Sequence, residues 1–379
     1  MSGTTRKPGD KGLLPWLVLK SAPGLSNRMI KRLLDRFGDA EAVLASNPRS
    51  WRAVARAPEK AWDHLARRQA PEESLQEVAA AVQKGQSIVT YADSAYPPLL
   101  REIPDPPPFL FVLGRLPAGT RNVALVGSRT PSPYGVSTAF SLGRDLARAG
   151  VCVVSGMARG IDTKAHEGAL AGDGSTVAVL GSGLDVVYPP ENRGIASAIA
   201  ERGAVVSEFP PGTGPKPYHF PMRNRIIAGM SAALVVVEAA ARSGALITAQ
   251  MAADANREVF AVPGSVQSAK SAGTNNLIKQ GAGLVENAAD VLSQMEHVFG
   301  FCQDRAGKAP GPALEKLPPP ALAPEELPVW EALSAYPEPV DEISRRLAMD
   351  VPTLLTLLLT MEIRGLVRQA PGKLFSRGS

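Results

Sequence analysis

Arginines set beside glycines and serines recur through the middle of this chain, and their types suit an anion. Gly127-Ser128-Arg129, Gly156-Met157-Ala158-Arg159-Gly160 and Arg242-Ser243-Gly244 each follow a short apolar run. Glycine lets a backbone come close to a bound group, and a helix opening at such a turn offers free N–H groups and a positive dipole end. An arginine there can grip a phosphate through two parallel N–H bonds. A strand-end ion pair is the alternative for Arg129, although nothing acidic stands near it in sequence.

The segment from Gly214 to Arg225 has a second kind of chemistry. It interleaves Lys216, Tyr218, Phe220, Arg223, Asn224 and Arg225 with three prolines. Single-stranded nucleic acid calls for that mixture, because cations follow phosphates and rings stack bases. Phe220 fits a core equally well, and Arg223 and Arg225 are also placed to tie this segment to Glu208 or Glu238. Other chemistries lack their residues. The four histidines (His64, His166, His219 and His297) are scattered, with no metal-ligand spacing, and Cys152 and Cys302 form no framework. His166 reads as a packed or capping residue rather than a base. There is no G-x-G-x-x-G after the first strand, no Walker sequence and no G-x-S-x-G elbow. No catalytic residue, metal or cofactor is therefore expected.

These clusters need a scaffold that gathers them. Apolar runs at Val123–Val126, Val151–Val154, Thr176–Leu180, Ala204–Ser207, Ala233–Val237 and Val259–Val262 alternate with helical patterns such as Gly135–Ala149 and Ala245–Ala255. That alternation predicts an α/β fold around a parallel sheet, whose ligands bind at the carboxyl ends of the strands. The Gly, Ser and Arg clusters fall at those ends. Around this 121–300 domain the chain divides further. Residues 1–85 read as helical, with a Pro23-Gly24-Leu25 turn before Met29, Ile30, Leu33, Leu34 and Phe37 at helical spacing. Residues 86–120 read as an extended connector joining the sheet, since their prolines forbid helix. A Pro/Gly-rich linker spans 301–325, and 326–379 shows three short helices and two strands, a winged-helix pattern.

Charge follows the same division. The chain has 379 residues and a net charge of +5, but the excess lies in residues 1–85, with 15 Lys/Arg against 9 Asp/Glu. Residues 86–300 balance at 17 each. A polyanion bound there must be held by a few placed arginines, not by a broad basic field. The winged helix carries 6 basic and 7 acidic residues, which favours a protein-contact or auxiliary role over DNA binding. No run approaches the roughly 18 apolar residues of a membrane span, and residues 1–11 lack an apolar leader core. A cytoplasmic location is expected.

Several segments together resemble the DprA/Smf family. They are Gly127-Ser128-Arg129, Ser155 to Asp162, Tyr188-Pro189, Ser207-Glu208, Phe220 to Gly229, Ser243 to Ala249 and Gly273 to Ile278. The resemblance implies a central extended Rossmann-like domain, an N-terminal helical module similar to a sterile-alpha-motif (SAM-like) domain, and a C-terminal winged-helix domain. It implies a non-catalytic protein that binds and protects incoming single-stranded DNA. Such a protein loads RecA recombinase, works beside single-strand-binding protein in natural transformation and recombination, and forms a homodimer. Arg129 and Lys216 are the carried-over DNA contacts. The binding face is expected to hold Gly127, Ser128, Arg129, Gly156, Arg159, Gly160, Lys216, Phe220, Arg223, Asn224, Arg225, Ser243 and Gly244. Where the family often has a Lys after the Tyr-Pro pair, this chain has Pro190-Glu191, with Arg193 the nearest cation.

Two other readings stay open at this point. Rossmann-like nucleoside-monophosphate hydrolases use an Arg and a Glu near a Gly-rich loop, and Arg129 with Glu238 is the candidate pair. Their Pro-Gly-Gly-x-Gly-Thr loop is present only as the fragment Pro263-Gly264-Ser265. The other reading is a scaffold whose N-terminal charge does the binding.

Overall fold

Helical spacing in the N-terminal part forms helices that close on one apolar centre. The computed structural model describes residues 12–299, 322–334, 337–370 and 372–377. The first six helices are α1 (Leu14–Ser21), α2 (Asn27–Phe37), α3 (Ala40–Ala45), α4 (Pro48–Val54), α5 (Glu59–Arg67) and α6 (Glu72–Gln83). Ser26 caps α2 by accepting the Met29 N–H, Ile30, Leu33 and Leu34 form its buried face, and Gly38 ends it at φ 101°. Helices α3 and α4 are too short for periodicity to show. Their signals are caps instead: Asp39 accepts the Ala42 N–H, and Asn47 accepts the Arg49 N–H ahead of Pro48. Trp16, Leu33, Trp51 and Trp62 belong to the same buried cluster as Phe109, Phe111, Met157 and Leu180, so these helices and the sheet share a core.

The sheet follows. Its elements are β1 (Ser87–Thr90), α7 (Pro98–Glu102), β2 (Phe109–Gly114), β3 (Asn122–Gly127), α8 (Pro133–Arg148), β4 (Cys152–Ser155), α9 (Ile161–Ala171) and β5 (Thr176–Val179). After a 3-10 helix, Pro190–Asn192, come α10 (Arg193–Arg202), β6 (Ala204–Ser207), α11 (His219–Met230), β7 (Ala233–Glu238), α12 (Gly244–Asp254) and β8 (Glu258–Ala261). The region ends with α13 (Ala272–Lys279), β9 (Gly283–Leu284), α14 (Ala288–Gln294) and α15 (Glu296–Phe299). The nine strands lie in the order β1-β2-β6-β5-β4-β3-β7-β8-β9. From β6 to β9 all neighbours are parallel. Every residue of β4, β5, β6 and β7 is buried, as strands covered on both faces require.

The parallel sheet expected from the alternation is extended at one edge by the 86–120 connector, which joins it as two antiparallel strands. The stretch 86–120 supplies β1 and β2, and both β1–β2 and β2–β6 pair antiparallel. Apolar runs show that a strand exists but not its direction. The direction is set by the path of the link before it, and here that path holds only α7 and a proline-rich turn.

The C-terminal unit is a separate small fold. It contains α16 (Glu326–Ala332), β10 (Glu338–Pro339), α17 (Val340–Leu347), α18 (Val351–Ile363), β11 (Val367–Ala370) and β12 (Leu374–Arg377). Its three antiparallel strands run β10-β12-β11, the winged-helix arrangement expected, with β10 added. Val329, Ile343, Leu354, Leu358, Met361 and Phe375 form its core. Glu326, 3% exposed, is paired with Arg364. Of the 301–325 linker, only 322–325 fall within the described residues.

Candidate nucleic-acid interface

The chain steps from β3 through β4 and β5 to β6 in one direction, then returns to β7 on the other side of β3. The loops after β3 and β7 therefore diverge, and an open α/β sheet has its binding crevice at that switch point. Two clefts adjoin there. The first, about 250 Å³, is lined by Gly127, Arg129, Asp162, Phe220, Asn224, Ser243 and Gly244 among others. The second, about 150 Å³, is lined by Arg129, Arg159, Gly181, Ser182, Tyr188 and Phe220 among others.

Arg129, Ala158, Phe220 and Arg223 line both clefts, and of these the exposed Arg129 and the half-buried Phe220 form the ridge where the clefts meet. The Arg129 guanidinium carbon lies 5.2 Å from the Phe220 ring centre, and that ring lies 5.9 Å from Tyr188. Arg129 is exposed, and Tyr188 is 43% exposed. A cation and two accessible rings thus stand in a row, a platform on which bases can stack beside a held phosphate.

Beneath the ridge the charges face inward. Arg223, 3% exposed, donates from one terminal nitrogen to the carbonyls of Gly156 and Val179, and its Nε donates to Asn224 Oδ1 at 3.1 Å. Burial lowers its pKa to about 10, against the opposing pull of Asp162. Gly156 is glycine because a Cβ there would strike the Arg223 guanidinium at 2.2 Å. Gly127 has a similar cause: its Cβ would meet Ile161 Cγ1 at 2.6 Å, where α9 packs against β3. Arg223 braces the cleft floor instead of reaching out from it.

The Gly156–Gly160 turn was expected to offer amides to an anion, and the structure shows two of them already engaged by Asp162. The N–H groups of Gly156 and Ala158 donate to Asp162 Oδ2 at 3.1 and 3.2 Å. The Ile161 N–H goes to the Ser128 carbonyl, and the Thr163 N–H to the Ala158 carbonyl. An internal carboxylate holds the turn, and burial raises that carboxyl's pKa. Gly160 caps α9 at φ 79° with no side-chain acceptor. The start of α12 has a side-chain cap. Ser243 accepts the Ala245 N–H at 3.3 Å, the Gly244 N–H has no acceptor among the described residues, and a Cβ on Gly244 would meet nothing within 4 Å.

The remaining expected residues divide. Ser128 donates its N–H to the Glu238 carbonyl, and its Oγ accepts the Thr130 N–H. Arg225 turns away and pairs with Glu208 at 2.5 Å and Asp105 at 3.4 Å, which makes it a brace for α11. Lys216 is exposed with Nζ 5.9 Å from the Tyr218 ring centre, but it lines neither cleft. Arg159 lines the second cleft and is paired with Glu191. Arg193 is exposed at the start of α10.

Of two further cations near the face, Arg242 belongs to a cluster that the sequence singled out, and Lys270 does not. Arg242 is exposed, has no partner among the described residues and immediately precedes Ser243. Its place beside Ser243-Gly244 was a usable signal. Lys270 donates to the Thr130 carbonyl at 2.6 Å across 140 positions of sequence, a contact no local pattern contains. Asn275 clamps Gly264 through both its N–H and its carbonyl, at 3.2 and 3.0 Å.

Glu238, the acid of the hydrolase reading, is 4% exposed and lines neither cleft. His166 is fully buried. Thr176 Oγ1 donates to the Val153 carbonyl and so accepts from His166 Nδ1 at 2.7 Å. Burial pushes the pKa of His166 down to about 3, with Arg223 adding to the shift. Among the described residues, no three His, Cys, Asp or Glu side chains gather as metal ligands, and no helix is long and apolar enough to cross a membrane.

Known proteins share this architecture. A family model for DNA recombination-mediator protein A matches residues 87–296, and one for the DprA winged helix domain matches 313–373. Protein Smf of Synechocystis is 34% identical over 96% of this chain and 98% of its own length. DNA processing protein DprA of Streptococcus pneumoniae is 45% identical over 54% of this chain and 72% of its own. The X-ray structure of DprA from Streptococcus pneumoniae superposes with a TM-score of 0.64 at 34% identity, covering 74% of this chain and 97% of that one. On these matches, and on the fold and motifs that carry them, the chain belongs to the DNA recombination-mediator protein A family, DprA/Smf.

Proposed function

We propose that this protein binds single-stranded DNA along the switch-point face, with Arg129 on the phosphates and Phe220 and Tyr188 stacking bases. The row Arg129–Phe220–Tyr188 between two adjoining clefts carries the reading. Duplex DNA keeps its bases stacked inside, whereas rings set in narrow clefts need bases splayed out. Lys216 and Arg242 extend the cationic path beyond the clefts. The relatives named DNA processing protein DprA support a role in DNA processing. In this reading the protein works in the cytoplasm as a homodimer, without cofactor or catalysis. It protects incoming strands beside single-strand-binding protein and passes them to RecA during natural transformation and recombination.

The test is fluorescence anisotropy of a labelled oligothymidine at two salt concentrations, with a duplex competitor. Wild type is expected to bind with single-strand preference and salt sensitivity. Arg129→Ala with Lys216→Ala is expected to weaken binding by at least about tenfold. Binding untouched by that pair would move the activity to residues 1–85. Release of free base from a nucleoside monophosphate, lost in Glu238→Ala, would establish the hydrolase instead.

A further inference from the structure

Arg159 lines the second cleft with Tyr188 and Phe220, yet its charge is already engaged. Its Nε lies 2.5 Å from Glu191 Oε1, and the two side chains are 64% and 51% exposed. Glu191 sits in the 3-10 helix Pro190–Asn192. That helix is pinned from below. The Asn192 side chain, in a residue 6% exposed, donates to the Met157 carbonyl and to Thr163 Oγ1, both at 2.9 Å. Met157, in the turn between β4 and α9, and Thr163, in the first turn of α9, stand on either side of Arg159 in the chain. Buried hydrogen bonds therefore hold the segment carrying the carboxylate beside the segment carrying the arginine. The pair is solvent-exposed, and such pairs exchange partners at little cost.

We propose that Glu191 sets the affinity of the single-strand site by occupying Arg159, so that a phosphate reaches Arg159 only by displacing this carboxylate. The proposal rests on the single-strand reading above. Under it, a strand is held firmly at the Arg129 ridge and loosely in the second cleft, which favours release of that end.

Anisotropy titrations of labelled oligothymidine with wild type, Arg159→Ala, Glu191→Gln and the double variant form a thermodynamic cycle. Gln keeps the shape of Glu191, and all four proteins are expected to melt alike because both side chains are exposed. Glu191→Gln is expected to tighten binding about three- to fivefold. It should also steepen the dependence of log affinity on log salt by about 0.7, the contribution of one further single-strand phosphate. Arg159→Ala alone is expected to weaken binding about twofold and, in the double variant, to erase the gain from Glu191→Gln. A gain that persists without Arg159 overturns the proposal, because Glu191 then acts only as a distant negative charge. The absence of any gain in Glu191→Gln overturns it as well, while wild-type binding lost in Arg129→Ala leaves the single-strand reading standing. Wild type that binds no oligothymidine removes that reading and this proposal together.

Discussion

Two parts of this protein have folds that often meet nucleic acid, and their surfaces differ sharply. The switch-point face carries exposed Arg129 and Arg159 beside accessible rings, with Arg242 exposed just ahead of α12. The winged helix has α18 in the position that reads a DNA groove in many such folds. Yet from Val351 to Ile363 this helix contains no Lys or Arg, and Leu359 and Ile363 are 58% and 80% exposed. A fold supplies a shape, and the side chains on it decide what that shape binds. The neutral central domain carries a few well-placed cations, whereas α18 presents leucine, isoleucine and threonine side chains and no cation.

The contrast can be broken most directly at the ridge. Arg129→Ala combined with Phe220→Ala is expected to cut oligothymidine affinity about a hundredfold by anisotropy, through loss of one phosphate contact and one stacked base. If that variant binds as wild type does, the central face is not the site.

Arg223→Ala sharpens the contrast by separating bracing from binding. The loss leaves two buried carbonyls and Asp162 without their cation, a cost of about 3 kcal/mol or more. Calorimetry should show the central unit melting roughly 10 °C lower. An unchanged melting point with reduced DNA affinity would instead make Arg223 a direct contact.

Acid should act on the same region. The pKa of His166 is lowered on folding from 6.5 to about 3, so the native state holds it neutral. Its contribution is intact above about pH 6.5 and is lost progressively as pH falls toward 3, where the unfolded chain takes up the proton first. The winged helix contains no histidine and lacks this source of acid sensitivity. His166→Gln should flatten the fall of the central melting temperature between about pH 6.5 and 4. A profile as steep as wild type would assign the acid response to other groups.

The smallest expected effect lies on the winged helix. Leu359→Ser with Ile363→Ser should leave oligothymidine affinity within about twofold, since exposed substitutions away from a site have little effect. A tenfold loss would bring α18 into the binding surface and dissolve the contrast.

The sequence by itself determined the longer strands, the alternation with helices and the edge on which the Gly, Ser and Arg clusters fall, but not the two-residue strands β9 and β10. Apolar periodicity and capping chemistry are local, and Ala204–Ser207 was legible to the residue because burial on both faces leaves an uninterrupted apolar run. Only the tertiary structure decided which cations face outward. Arg129 and Arg223 look alike in sequence, each an arginine beside a polar residue. The first lies exposed over Phe220, and the second is buried against carbonyls from two strand ends. Likewise Asp162, four residues beyond Ala158, takes two of the amides that the glycine-rich turn had suggested for a phosphate. Whether a charge serves a ligand or the fold depends on which groups packing places within hydrogen-bond reach, and those groups come from distant parts of the chain.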